Sequence, residues 1–133
     1  MRKIIYIMVL LITTICLGQR KYAAGKYFNE FAYKKAAELY QLIHNKGDNS
    51  YLVLSRLADS YYFNFEFDKA EKNYKKLINS NEAIASSEHL FRYAQVLKTN
   101  GKITESDKWL LKLKNKNGND SRAKALESNN SDV

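Results

Sequence analysis

Apolar residues along this chain recur at steps of three and four, the helical period, and nowhere sustain the alternation of a half-buried strand. Short polar clusters interrupt the pattern at Asn45–Asn49, Asn79–Asn81, Asn100–Lys102 and Asn115–Asp120. Their Gly and Asn residues suit helix C-caps and left-handed turns, and their Asp, Asn and Ser residues suit the next N-cap. The pattern predicts helices near 20–30, 33–46, 50–64, 67–80, 86–100 and 103–117. A short seventh segment from Asp120 to Ser128 is predicted to cap the fold, with a disordered tail over 129–133.

A small-residue and aromatic signature recurs within these segments. Ala36-x3-Tyr40-x2-Ile43 returns as Ala70-x3-Tyr74-x2-Leu77, and again as Ser106-x3-Leu110-x2-Leu113. In step with it, Leu54-x2-Leu57-Ala58-x2-Tyr61 reappears as Leu90-x2-Tyr93-Ala94-x2-Leu97. A period of about 34 residues marks an array of helix–turn–helix repeats. Ala58 and Ala70, and likewise Ala94 and Ser106, are expected where paired helices cross, because small side chains let the axes approach. One pair cannot bury its own apolar face, so about three repeats must stack.

The segment from Met1 to Gly18 reads differently. Arg2 and Lys3 precede an apolar run from Ile4 to Leu17, broken only by Thr13 and Thr14. A basic head, a short apolar run and small residues before Gln19 describe a secretory signal peptide cleaved after Gly18. The run is shorter than the about 20 residues that span a bilayer comfortably. Lipidation of Cys16 fits poorly, because bulky Ile15 precedes it. Cleavage would remove the chain's one cysteine, leaving stability to packing alone.

Charge adds one constraint. Loss of Arg2 and Lys3 with the leader takes the formal +8 to +6, with lysines spread along the helices. Such a balance favours acidic surfaces, whether protein, anionic lipid or cell-wall polymer, and solvated outer helix faces account for much of it. Nucleic acid is not an expected partner of an exported chain.

The spacing, with Leu54, Leu57, Ala58, Tyr61, Ala70, Tyr74 and Leu77, resembles the tetratricopeptide repeat (TPR). Leu54 and Leu90 replace that family's first aromatic, its closing proline is missing, and the first repeat is expected to be truncated because its opening positions fall inside the leader. The resemblance implies an all-α, right-handed solenoid of about three repeats over 19–118, a cap and tail over 119–133, and a concave groove on the first helix of each pair. The groove positions it implies are Phe28 and Asn29 in the first repeat, Ser55, Asp59, Tyr62 and Phe63 in the second, and Phe91, Gln95 and Lys98 in the third. Aromatic anchors with a few polar groups suit a peptide-binding groove. Relatives that grip a terminal carboxylate use lysine and asparagine where Ser55 and Asp59 stand, which argues against that clamp.

A narrower resemblance rests on Lys26 to Tyr40, Leu57-Ala58-Asp59-Ser60-Tyr61-Tyr62-Phe63-Asn64, Phe91-Arg92-Tyr93-Ala94-Gln95 and Asn119 to Ala125. These stretches are similar to the N-terminal TPR region of OmpA-family envelope proteins of Bacteroidota. That region precedes a propeller and a peptidoglycan-binding domain, neither of which follows in this sequence. The resemblance implies an exported interaction adaptor of the cell envelope, with peripheral association to outer membrane or wall. The rival readings are a charge-driven binder of cell wall or anionic membrane, and a truncated fragment of a larger envelope protein.

Catalytic chemistry finds little support. His44 and His89 lie in different repeats with no Asp or His partner at ligand spacing, and no phosphate loop, nucleophile elbow or metal motif occurs. Glu66, Asp68 and Glu71 lie close together, but Asp68 suits a helix start. The expectation is a non-enzymatic protein with no catalytic residue, metal or cofactor. The sequence leaves oligomeric state open.

Overall fold

A computed structural model describes residues 1–80 and 84–128, which places residues 129–133 of the expected tail outside the described part. Seven helices follow one another in the described chain: α1 (Arg2–Asn29), α2 (Tyr33–Asn45), α3 (Tyr51–Phe63), α4 (Phe67–Ser80), α5 (Ser87–Thr99), α6 (Ile103–Lys116) and α7 (Ser121–Ser128). Each packs on its sequence neighbour, and α3 also meets α5. The pairs α1/α2, α3/α4 and α5/α6 are thus three stacked hairpins, with α7 resting on the last.

Small residues make the hairpins possible. Ala58 and Ala70 are fully buried, as are Ala94 and Ser106, and the Ser106 hydroxyl donates to the Ala94 carbonyl at 2.8 Å. The first hairpin has its own crossing at Ala24 and Ala36, both fully buried. Ala24 stands one repeat period before Ala58, which corrects the expectation of a truncated first repeat: the part of α1 after the leader supplies its opening helix and packs on α2. Around these crossings Tyr40, Ile43, Leu57, Tyr74, Leu77, Leu97, Leu110 and Leu113 form a continuous core.

The turns inside the hairpins repeat as closely as the crossings. Amides of Phe31, Phe65 and Gly101 donate to carbonyls three residues back, and amides of Ala32, Glu66 and Lys102 donate to carbonyls five residues back, at 2.8–3.1 Å. This is the Schellman closure, whose C′ residue takes a left-handed backbone. Glycine serves at Gly101 (φ 77°), but φ is 60° at both Phe31 and Phe65. Glycine takes the left-handed turn as expected at Gly101 and Gly47 (φ 100°), whereas the turns of the first two hairpins lie outside the polar clusters that carried that expectation. Both phenylalanines project outward, 77% and 79% exposed, each edge-on to the aromatic two residues later, Tyr33 and Phe67.

Other caps follow ordinary chemistry. Ser86 accepts from the His89 amide at the start of α5. Asp48 accepts from the Ser50 amide before α3 and pairs with Lys21 of α1 at 2.5 Å. The Lys21 and Ser50 hydrogen bonds hold the Asp48 carboxyl down to about 2. Asp120 accepts from the Arg122 amide before α7.

The N-terminal half of α1 stands apart from the array. The helix runs through Gly18 without a break, and the apolar side chains of Ile4 to Ile12 and of Ile15 are exposed. By length and composition α1 is apolar enough to cross a membrane.

Equilibrium urea unfolding checks two features of these hairpins. Ala58→Leu overpacks the central crossing and should lower stability by about 1–3 kcal/mol. Phe65→Gly relieves a left-handed backbone that costs a bulky residue about 1–2 kcal/mol, less the entropy glycine adds to the unfolded chain (about 0.4–1 kcal/mol). It should therefore stabilise by roughly 0.5 kcal/mol, and an unchanged or lower midpoint would show that the Phe65 ring carries packing the turn needs.

Candidate functional site

The face presented by the first helices α1, α3 and α5 carries the sequence-predicted groove residues, at three depths. Phe28, Ser55 and Asp59 are buried; Tyr62, Phe63, Phe91, Gln95 and Lys98 are half-buried; Asn29 is exposed. Ser55 spends its hydroxyl on the Leu52 carbonyl. The accessible part of this face therefore runs along α3 and α5 through Tyr62, Phe63, Phe91, Gln95 and Lys98, with Asn29 exposed at the end of α1.

These side chains are organised by contacts between repeats. The Tyr62 hydroxyl donates to Gln95 Oε1 at 2.7 Å, joining α3 to α5. Phe63 stacks on Tyr33 with centroids 4.7 Å apart and meets Tyr62 and Phe28 edge-on. Arg56 lies over the Phe28 ring at 4.2 Å, and Arg92 lies over Phe63 at 4.7 Å and Tyr62 at 5.7 Å. Arg56 and Arg92 stand one period apart, and each guanidinium covers an aromatic of the preceding repeat. Such cation–π contacts strengthen with desolvation. Neither arginine is among the groove positions inferred from the repeat, although their shared register is a usable signal.

Beneath this face lies a polar cluster. Asp59 is 6% exposed. Its Oδ1 accepts from the Tyr74 hydroxyl at 2.7 Å and pairs with Arg92 at 2.9 Å. Its Oδ2 stands 3.4 Å from His89 Nε2, and His89 Nδ1 is 2.9 Å from the Tyr51 hydroxyl. The tautomer protonated on Nε2 lets His89 donate to Asp59 and accept from Tyr51. This corrects the expectation that His89 lacks an acidic partner. Asp59 belongs to the preceding repeat and meets His89 only because α3 and α5 are neighbours. Burial pushes the Asp59 carboxyl up, but the hydrogen bond from His89, the Arg92 charge and the Tyr74 hydroxyl outweigh it and hold the group below its ordinary range. Burial also drives the Tyr74 phenol well above its usual range, aided by the Asp59 charge.

The hydroxyl–imidazole–carboxylate order has the form of a general-base relay. Here it ties α3, α4 and α5 together, and Asp59 is already committed to Arg92 and Tyr74.

The network extends to the cap. Arg92 also pairs with Glu88 at 3.0 Å, Glu88 with Arg122 at 2.5 Å, and Arg122 with Asp120 at 2.8 Å. The Arg122 guanidinium lies 4.6 Å from the Phe91 ring centre, Lys98 donates to the Leu126 carbonyl at 3.3 Å, and Lys114 pairs with Glu127. Helix α7 thereby borders the α5 end of the face and touches two of its residues.

No protein-family model and no curated protein sequence matches the chain. Solved structures do, and they define the fold as that of TPR domains. The second TPR domain of human RPAP3, solved with an HSP70 peptide, superposes with a TM-score of 0.72 at 19% identity, over 84% of this chain and 92% of that one. The first TPR of Spaghetti, bound to an HSP90 peptide, gives a TM-score of 0.74 at 17% identity, over 87% and 90%. The Yersinia enterocolitica type III secretion chaperone SycD, in complex with a peptide of the translocator YopD, gives 0.65 at 18% identity, over 88% of each chain.

Removing the carboxylate at the centre of the network should be costly. Asp59→Ala leaves Arg92 with only the more exposed Glu88 and strips His89 and the Tyr74 hydroxyl of their acceptor, and breaking such a buried pair costs about 3–5 kcal/mol. Because the folded-state carboxyl titrates below its unfolded value of ~3.9, its contribution is present above that value and fades as pH falls through the folded one. The unfolding free energy of the parent chain should therefore fall with acidification below about pH 4, and Asp59→Asn should flatten that dependence. An equal slope in both proteins would remove Asp59 from the account.

Proposed function

We propose that this protein is a non-enzymatic interaction adaptor that holds an extended or helical segment of a partner protein on the face formed by α3 and α5. The supporting observation is the row of half-buried aromatic and polar side chains, Tyr62, Phe63, Phe91, Gln95 and Lys98. Rings fixed by stacking and by Arg92 offer contact area at little entropic cost, and Gln95 and Lys98 bring polar groups to its edge. The RPAP3, Spaghetti and SycD structures similar to this chain each contain a bound peptide, in keeping with this reading.

Export to the cell envelope is the second part of the proposal. The apolar stretch of α1 buries nothing in the array, and cleavage after Gly18 would leave Ala24, Tyr27 and Phe28 in the first hairpin. The periplasm then becomes the working compartment, with peripheral association to outer membrane or wall through the basic helices.

In-cell photocrosslinking from position 91 tests the adaptor reading, with capture identified by mass spectrometry. One dominant protein should be captured, and Gln95→Lys should reduce its yield several-fold. Capture of lipid or wall fragments only would overturn the reading in favour of charge-driven surface binding. The intact mass of the protein recovered from cells tests export. A chain beginning at Gln19 is expected, and one retaining Met1 to Gly18 in the membrane fraction would contradict cleavage.

A further inference from the structure

The outer side of the array holds a second concavity, built by second helices rather than first. Helices α2 and α4 flank Tyr61 of α3, and a cleft of about 510 Å³ opens there, lined by Gln41, Tyr61, Asn73 and a run of α4 lysines. Of these, Lys69 is paired with Glu66. Lys72, Lys75 and Lys76 have no carboxylate at ion-pair distance among the described residues, and Lys76 Nζ lies 3.2 Å from His44 Nε2. The cleft is thus net positive, with Glu38 acting on its Tyr61 and Glu71 on its Lys75 from nearby.

The repeat register makes Asn73 the anomaly. Three residues after the crossing residues Ala36, Ala70 and Ser106 stand Leu39, Asn73 and Trp109. In the third repeat that position is filled by an indole packed on Tyr93 at 5.3 Å. In the second it holds an amide only 6% exposed. Asn73 Nδ2 donates to the Lys69 carbonyl at 2.9 Å, while Oδ1 is buried without a partner among the described residues. A buried acceptor left in this way costs stability that an apolar side chain of the same register would not.

We propose that this cleft binds an acidic peptide segment of a partner protein. Lys72, Lys75 and Lys76 take its carboxylates, and Asn73 Oδ1 accepts one of its backbone N–H groups once the flexible lysine stems swing aside. The orphaned acceptor decides the class of ligand. A nucleic-acid backbone offers this cleft oxygen acceptors only, its donors lying away on the bases, whereas a peptide brings carboxylates and backbone amide donors together within one residue. Apart from Tyr61 of α3, the site is built from α2 and α4, and it stands independently of the role of the α3–α5 face.

The test is a fluorescence titration of the purified protein with a labelled peptide alternating Asp and Gly, alongside an oligodeoxynucleotide of equal charge. Reversing two charges with Lys72→Glu and Lys75→Glu should weaken peptide binding at least tenfold, while Lys124→Glu, the same kind of change away from the cleft, should leave it within twofold. Asn73→Leu should unfold at higher urea than the parent yet bind the peptide at least fivefold more weakly, with oligonucleotide binding unchanged. If that variant does not fold, Asn73→Ala carries the same expectation for binding. Parent-like peptide binding by the Asn73 variant, or equal competition by the oligonucleotide, would overturn the proposal and leave only non-specific attraction to positive charge.

Discussion

Everything in this fold depends on how closely two helices can approach at one point per repeat. Ala24 against Ala36, Ala58 against Ala70 and Ala94 against Ser106 bring each hairpin together with nothing larger than a methyl or hydroxymethyl group between the axes. That contact sets where Tyr74, Leu77 and their counterparts meet the next hairpin, because close-packed interiors transmit small displacements. It also fixes which side chains of α3 and α5 face outward. The α3–α5 face is in this sense a consequence of the alanines.

Much of this is legible in the sequence, because the repeat imposes a register that can be counted. The limits expected for α2 to α6 agree with the observed ones to within a residue at each end, and the central and third crossings follow from spacing alone. Ala24 escapes such a reading because the apolar leader obscures the start of the first repeat, although it stands one period before Ala58. The left-handed turns at Phe31 and Phe65 are hidden for a different reason. Backbone geometry there is dictated by the hairpin, and phenylalanine gives no local signal of it. Long-range polar pairing is the least accessible. Asp59 and His89 share no motif, and only the α3–α5 contact brings their side chains together.

Depth separates the groove residues inferred from the register. Asp59 and Ser55 share helix α3 with Tyr62 and Phe63, yet the former pair is sealed inside and the latter is partly open. A buried carboxylate with three donors holds the shape of the face, and the aromatics above it supply its accessible apolar surface. Strain follows a comparable division. The hairpins whose turns carry exposed phenylalanines are also the two whose first helices contribute Phe28, Tyr62 and Phe63, while the third hairpin uses glycine.

The most direct measure of the central claim is hydrogen exchange across the whole chain, free and with the partner segment identified by capture at position 91. The account predicts slower exchange confined to the C-terminal half of α3 and to residues 91–98 of α5, with α2 and α6 unchanged. Protection restricted to α2 and α6, or spread evenly over all helices, would contradict the assignment of partner binding to the first-helix face.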